Sequence, residues 1–533
     1  MEGKFNKIEP YFFYIVVLLN MTPILLSKFF PTMDGAAHLY NSNLIHELLL
    51  NPETPLSDFF VFNTVPVPNW IGHFILSIFN FILPAFIAEK ALMILYLFFL
   101  PWSFRHLTQQ YNNSALSYLI FPFSYTFLFY LGFYNLSISF ILLFGTLALW
   151  KKHNSNITLK FAIALFVALS LTYFAHAFVY SILLFIIFLT ELQNLIGQYS
   201  SSKDIRTVIG NNTKKYIVLL IAALPSLLLL LQFFNNVHFS DSDSRLPASE
   251  LIKWIKDVRP LIALNYEGEL RFTEIYYHLL IALTTITLFV EIQNNLTEYK
   301  SNLLKSLLRI SLLPKNVFLA GSLLFLILFF TVPNSSSAGM MSDRLALIFF
   351  IFIVVWLATN TYPSWLSKTS IVIILYVNFG LVFKYTKSAA ELSATAEAIY
   401  EAQDKIQPYS TVLPIKDTDH WLQLHFSNYL GVDKPMVILE NYEASVGWFP
   451  LKWVESGMKN LRFGNLSSEE CSFGWKSGSS ESEEIAMIDY VLVWGYANTM
   501  NDLENNALDT YYSLVYSSED GQVRLFELKE SYR

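Results

Sequence analysis

Apolar runs of roughly 15 to 20 residues, nearly free of charge, recur through the first 384 residues of this chain. Each matches the ~20 residues that a helix needs to cross a ~30 Å hydrocarbon core. No other feature restricts the fold as strongly. The runs fall at approximately 11–28, 70–84, 86–104, 115–131, 132–150, 160–174, 175–190, 216–234, 275–290, 316–332, 345–359 and 369–383. Only 14% of the 533 residues are charged and 54% are hydrophobic, whereas an ordinary soluble domain carries about 25% charge. The chain therefore reads as a polytopic α-helical membrane protein, and no alternating β-barrel pattern competes with that reading. The first run follows Lys4 and Lys7 and lacks a small-residue cleavage site, so it is expected to be a retained anchor with a cytoplasmic amino terminus.

Lys and Arg accumulate in cytoplasmic loops. Three clusters mark such loops: Lys151 and Lys152; Lys203, Arg206, Lys214 and Lys215; and Lys300, Lys305, Arg309 and Lys315. They agree with one another and place loop 235–274, the loop from Asn334 to Arg344 and everything after Lys384 on the outer side; loop 29–69 should also be outside, behind a first span that starts in the cytoplasm. One consequence is an odd number of crossings between 70 and 150, so one of the four apolar runs there should not cross. The Gly132-Phe133-Tyr134-Asn135 break makes 115–150 the candidate for a re-entrant piece. About 11 crossings are expected in all.

Two domains follow: a membrane domain over 1–384 with outer loops 29–69 and 235–274, and an outer domain over 385–533. An Ala- and Glu-rich helical connector at 388–408 opens the second. Strand-like runs at Thr411-Val412-Leu413-Pro414, 435–439, 490–494 and 523–528, a helix through 421–429 and a turn at 517–521 make it a small α/β domain. The single cysteine, Cys471, permits no internal disulfide and argues against a thiolate metal site. A formal charge of −7, with Lys and Arg spread among the short loops, gives no support for nucleic-acid binding.

Chemistry-bearing residues concentrate at the outer boundary. Directly behind the first run stands Pro31-Thr32-Met33-Asp34-Gly35-Ala36-Ala37-His38-Leu39-Tyr40, in which Asp34 and His38 share one helix face. A charged group is costly at the centre of a membrane helix and cheap at its edge, so Asp34 is the leading catalytic candidate. Its plainer reading is a cap on the following helix. The loop continues with Glu53 and Asp58, then Pro68-Asn69-Trp70-Ile71-Gly72-His73 at the mouth of the next run.

Arg344, after Ser342-Asp343, offers a bidentate fork for a phosphate or a partner for Asp343. Arg245 and Arg259 are further outer cations, as are Lys253, Lys256 and Arg271. His73 and His176 lie in apolar surroundings where a ring needs a hydrogen-bond partner, and His238 and His278 share their depth. In the outer domain Asp417, Asp419, His420, Trp421, His425 and Asn441-Tyr442-Glu443 gather polar and aromatic groups at strand ends, where ordinary turn and core roles are the expectation.

This layout resembles the GT-C superfamily of membrane glycosyltransferases, which use polyprenyl-phosphate or polyprenyl-diphosphate sugars. The resemblance covers the arrangement of nearly the whole chain: an acid behind span one, an amphipathic outer loop, Pro68-Asn69 at the next span, many spans and an outer carboxy-terminal domain. It implies transfer of a sugar or glycan from a polyprenyl carrier to an outer protein or glycan acceptor. Asp34 would be the base, with His38, His73, His176, Arg245, Arg259 and Arg344 contacting substrate.

Many members carry two adjacent acids in the first loop, but here Gly35 follows Asp34. Glu53, Asp58 or His38 would have to stand in for the second. A divalent cation, Mg or Mn, is the one cofactor in question, with Asp34 and His38 as its ligands. Two other classes compete: a non-catalytic scaffold of envelope glycan assembly, and a lipid or glycan transporter. Transporters place ionisable groups at the bilayer midplane and show repeated halves, whereas here the charges fall at run ends. The Asn-, Lys- and Phe-rich usage points to a bacterial inner membrane with a periplasmic carboxy-terminal domain.

Overall fold

The computed structural model describes residues 2–111, 113–236, 244–298, 309–335, 339–455, 457–478, 483–496 and 498–533. His238, Lys300 and Lys305 lie outside the described residues. Among the described residues, thirteen helices of nine residues or more carry the membrane part and the loops between its spans. They are α1 (Glu2–Asn20), α2 (Gly35–Leu50), α3 (Ile71–Asn80), α4 (Ala85–Gln109), α5 (Tyr134–His153), α6 (Leu159–Ala175), α7 (Ala177–Ser202), α8 (Ile205–Asn236), α9 (Ala248–Lys256), α10 (Tyr266–Glu298), α11 (Asn316–Thr331), α12 (Met341–Ala358) and α13 (Ser364–Ala402).

Among the described residues eight helices are long and apolar enough to cross a membrane, and α6 and α11 are shorter apolar helices of 17 and 16 residues. Of the four runs between 70 and 150, the first is the short helix α3, which has 10 residues and spans about 15 Å, half of a ~30 Å core. The run at 115–131 is not a long helix either. It is a 3₁₀ segment, Ser117–Ser124, followed by the short turn Phe127–Tyr130.

That segment nevertheless travels beside α1. The Tyr118 hydroxyl donates to the Glu9 carbonyl and the Tyr125 hydroxyl to the Asn20 carbonyl, at 3.4 and 2.6 Å. Its seven-residue advance therefore matches about 16 Å of helix. Pro122 inside the segment removes one backbone donor.

The chain divides into two compact units. The first holds residues 1–22, 95–129 and 135–385; the second holds 23–94, 130–134 and 386–533. In the first unit the loop lysines expected on the cytoplasmic side are tied to buried acids, as in Lys315 Nζ to Glu291 at 2.7 Å and Lys215 to Glu191. Arg105 forks onto Glu9 at 2.6 and 2.7 Å. Trp150 adds a donor to Glu191 and Asn316 one to Glu291.

The second unit joins the first outer loop to the carboxy-terminal residues. Its strands are β1 (Phe60–Phe62), β2 (Thr411–Asp417), β3 (Val437–Ile438), β4 (Leu451–Trp453), β5 (Asn460–Arg462), β6 (Ile485–Met487), β7 (Tyr490–Gly495), β8 (Tyr512–Ser517) and β9 (Val523–Leu528). The main sheet runs β3-β2-β7-β9-β8, with β2 parallel to both β3 and β7, and β9 antiparallel to β7 and β8. The four expected strands are present, and the expected turn carries Gly521 at φ +70°. The 421–429 helix is instead two 3₁₀ turns, Trp421–Gln423 and Phe426–Gly431.

The connector at 388–402 is no separate element, because α13 runs 39 residues without a break. No Gly or Pro falls between Gly380 and Ala402 to interrupt it. Two devices fix the first outer loop to the carboxy-terminal residues. Strand β1 pairs antiparallel with β4. Tyr40 on α2 serves the edge strand β3 as a substitute neighbour, its hydroxyl donating to Met436 O at 2.8 Å and accepting from Ile438 N at 3.1 Å. Asn41 and Asn441 exchange reciprocal amide bonds at 3.1 and 2.9 Å beside it.

Candidate active site

The Asp34 segment is held from below by residues 130–132. Met33 N and Asp34 N donate to Tyr130 O and Leu131 O at 2.9 and 3.2 Å, and the chain then turns at Gly132, φ +83°. A Cβ at Gly132 would lie 2.7–2.9 Å from the backbone and Cβ of Asp34, so only glycine fits this close approach. Gly35 is required for a different reason. A side chain there would collide with Thr32 Oγ1, Tyr134 OH and Glu89 Oε1, which form a buried chain of hydrogen bonds at 2.7 and 3.0 Å. Space alone thus excludes a second acid directly after Asp34.

Asp34 does not cap α2: its side chain makes no capping bond, and its backbone is already helical. The carboxyl is 6% exposed, and its Oδ1 has no hydrogen-bond partner among the described residues. A buried acceptor left open is costly in a folded protein.

Two histidine–acid arrays converge on this carboxyl. In one, His425 Nε2 lies 3.8 Å from Asp34 Oδ1, while its Nδ1 lies 3.2 Å from Glu440 Oε2. Ser427 Oγ and Asn428 Nδ2 each donate to Glu440 Oε1 at 2.6 Å. The Tyr442 ring stacks on His425, with centroids 4.4 Å apart. Its hydroxyl faces Asp34 outside hydrogen-bond geometry.

In the other array Glu443 bridges His38 Nδ1 and His73 Nε2, the latter at 2.7 Å. His38 Nε2 donates to Gly132 O at 2.9 Å. With a carbonyl on one ring nitrogen and a carboxylate on the other, His38 has two acceptors and is satisfied as the imidazolium.

The electrostatics follow from burial and partners. Burial raises the Asp34 pKa above its ordinary value, against the opposing pull of His425 and His38. Burial alone would lower His38 and His425, yet Glu443 in the first case and Glu440 in the second outweigh it, so both are raised. Glu443 is held at about 2, because His73 and His38 together overcome the burial that would raise it. The cluster therefore combines a carboxyl of elevated proton affinity with two histidines, His38 and His425, whose proton affinity their acidic partners also raise.

His38, His73 and Glu443 also form a group whose ligand atoms lie within 4.8 Å of one another. Two imidazoles and a carboxylate suit a zinc-like cation better than Mg or Mn, which prefer oxygen. Gly132 O on the far nitrogen of His38 would be a typical outer partner. Asp34 is not a member of this group.

The other sequence candidates divide by unit. His38 and His73 lie with Asp34 in the second unit. Arg245, Arg259, Arg344 and His176 all fall in the first. There Arg259 Nε is 3.7 Å from Asp343 and its guanidinium stacks over Phe127 at 4.1 Å. Asp343 thus has Arg259 as an ion-pair partner, and Arg344 is buried within electrostatic reach of His176. Arg245 is exposed, next to Ser244, whose carbonyl accepts from Asn334 N at 2.9 Å. Glu53 and Asp58 are exposed and stand apart from the cluster, and His278 is exposed with its ring on Glu274 O.

Sequence reasoning singled out His425, Tyr442 and Glu443 but preferred turn and core roles for them, and it did not name Glu440; Glu89, beneath them, was not placed in the site. One signal was available: residues 439–443 leave the carboxyl end of parallel strand β3 and His425 follows β2, the ends at which open α/β sheets place ligands.

No family model matches the sequence, and no curated protein matches it. Among solved structures, the chain is similar to the crystal structure of ArnT from Cupriavidus metallidurans in the apo state, with a TM-score of 0.50 over 99% of this chain and 99% of that one, at 10% identity. At that identity the likeness is one of fold. The fold is the GT-C-like one implied by the layout, a polytopic helical membrane domain with a carboxy-terminal α/β domain.

Proposed function

We propose that this chain is a membrane glycosyltransferase that moves a sugar or glycan from a polyprenyl-phosphate or polyprenyl-diphosphate carrier to an acceptor on the outer side. The observation that carries the reading is the Asp34 carboxyl: buried, free of any capping duty, with an open oxygen and histidines of raised proton affinity around it. Asp34 takes the proton of the acceptor hydroxyl as the new glycosidic bond forms and the carrier phosphate departs. Its elevated proton affinity suits that task. His425 and His38 balance the carboxylate before transfer, and Glu440 and Glu443 hold those rings in place.

The departing phosphate needs positive charge. Arg245, Arg259 and Arg344 are the cations we assign to it, on the chemistry of their side chains, with His176 as an uncharged hydrogen-bonding group. A divalent cation bound by His38, His73 and Glu443 would add positive charge for the same phosphate. The GT-C-like fold supports a lipid-borne donor and membrane lipids as partners. A bacterial inner membrane, with the second unit's sheet in the periplasm, is the setting we assign.

The test is transfer by the reconstituted protein from a radiolabelled polyprenyl-phosphate sugar compared with a nucleotide sugar. Transfer from the lipid-linked donor alone is expected. Transfer from the nucleotide sugar, or unchanged turnover after removal of the polyprenyl chain, would contradict the reading.

A further inference from the structure

Between Glu89 and Glu191 the chain contains no Asp or Glu, yet it carries Lys90, Arg105, Lys151, Lys152 and Lys160. A buried base in such a stretch has to borrow its counter-anion from another part of the chain. Arg105 takes Glu9. Lys151 lies over the Tyr111 ring at 5.0 Å and within electrostatic reach of Glu191, which Lys215 and the Trp150 ring nitrogen already hold. Lys152 is exposed and pairs with no acid among the described residues. Its charge acts instead on His106, a second group that can be cationic.

These two side chains stand at one end of the first unit. His106 is in the last turn of α4 and Lys152 in the last turn of α5, and the two helices pack through Phe104 and Phe144, whose rings are 5.4 Å apart. The loop after α5 belongs to the same end, because Lys214 Nζ donates to Ile157 O at 2.9 Å. The charge rule assigns that end to the cytoplasm.

The outward side of α4 leads up to the pair. Phe99, Trp102, His106 and Gln109 follow one another at intervals of three, four and three residues, which makes a single helical stripe. Phe99 is 37% exposed and Trp102 40%, and the Trp102 ring lies parallel to that of His106, with centroids 5.7 Å apart. Along the stripe, aromatic rings give way to an imidazole and then an amide, the order met on passing from acyl chains to headgroups. Two cationic groups without an acid, at the polar end of an exposed aromatic stripe, are complementary to a ligand that is anionic at its head and apolar along its length. A neutral lipid would cover the stripe and leave the bases unmatched; a free phosphate would do the reverse.

We infer that Lys152 and His106 hold the phosphate of an anionic phospholipid of the cytoplasmic leaflet, with an acyl chain laid along Trp102 and Phe99. Basic pockets between membrane helices on the cytoplasmic side take such headgroups. The lipid supplies the anion that the sequence withholds from this edge. All four residues belong to the first unit, so the site is independent of the sugar donor and of the Asp34 cluster.

The experiment uses the full chain, purified in detergent and stripped of co-purified lipid. It is titrated with dioleoyl phosphatidylglycerol, dioleoyl phosphatidylethanolamine or inorganic phosphate, and the bound species are counted by native mass spectrometry. One phosphatidylglycerol per chain should survive activation that strips phosphatidylethanolamine. Lys152→Gln, a change at an exposed side chain, should weaken that retention severalfold with an unchanged unfolding midpoint, and adding His106→Gln should abolish it. Lys203→Gln, exposed at the end of α7, is the control and should retain the lipid. Equal retention of the two phospholipids would overturn the site, as would undiminished phosphatidylglycerol binding in the Lys152→Gln protein. Displacement of the lipid by inorganic phosphate would assign the bases to a soluble anion and overturn the lipid reading. In liposomes of both phospholipids, a photoactivatable acyl phosphatidylglycerol should label the peptide that contains residues 99–102 of the unsubstituted chain, and absence of label there would count equally against it.

Discussion

Both units bury charged groups, but they partner them differently. In the first, strong bases meet acids: Arg105 with Glu9, Lys315 with Glu291, Lys215 with Glu191. Arg and Lys keep their protons across the physiological range, so such pairs fix structure and move nothing. In the second unit, Asp34, Glu440 and Glu443 face histidines, the side chains whose charge changes near neutrality. Proton affinity is adjustable there. The contrast locates the reacting part of the molecule more sharply than burial does, since both sets are buried.

Glu443→Gln should break the comparison hardest. It removes the anion between two buried rings, costs about 3 kcal/mol of stability and abolishes measurable transfer. Thermal unfolding and the transfer assay read the two effects separately. Arg105→Met should cost about 1–3 kcal/mol while leaving turnover per folded molecule within twofold. A large rate loss in that variant would erase the distinction between the units.

Gly132→Ala forces a left-handed residue against the Asp34 backbone. A stability loss of about 1–3 kcal/mol and a rate loss of about 100-fold from misplacement of the carboxyl are expected. A normal rate would show that Asp34 tolerates displacement.

The pH dependence is smaller, and its sign is fixed. His38 and His425 titrate above their ordinary 6.5, so their stabilisation is complete below that pH and is lost as pH rises through the folded values. Glu443, held at about 2 against an ordinary 4.5, contributes above 4.5 and fails only as pH falls towards 2. Asp34, raised above 3.8, weakens the fold once it ionises.

Stability of the second unit should therefore peak between about pH 4.5 and 6.5 and decline on the alkaline side. His425→Gln should flatten that decline. Tyr442→Phe keeps the ring on His425 and removes only the hydroxyl beside Asp34. It should change the rate a few-fold and stability by less than about 1 kcal/mol.

Much of this arrangement was legible in the chain. Span-length apolar runs gave the membrane part, alternating Val-, Ile- and Leu-rich runs gave β2, β3, β7 and β9, and Asp34 was marked by its position behind the first run. Helix α3 was not, because both of its faces are apolar, and burial of one is decided by Glu443 rather than by local pattern. The passage at 117–130 has span composition but a proline inside it.

The partners of Asp34 were hidden by distance. His425 and Glu443 come from the carboxyl ends of two parallel strands some 400 residues away in sequence, and the local reading of those ends as turns was reasonable. Gly35, which looked like a missing acid, is explained by the Thr32–Tyr134–Glu89 chain that leaves no room for a side chain.

The most direct test is the transfer rate of Asp34→Asn, measured per folded molecule beside the wild type with a lipid-linked sugar donor. The isosteric amide keeps the fold, relieves a buried carboxyl and removes the base. The account predicts a rate loss of about 100- to 10,000-fold with an unfolding midpoint equal to or above that of the wild type; undiminished transfer in a folded Asp34→Asn protein would contradict it.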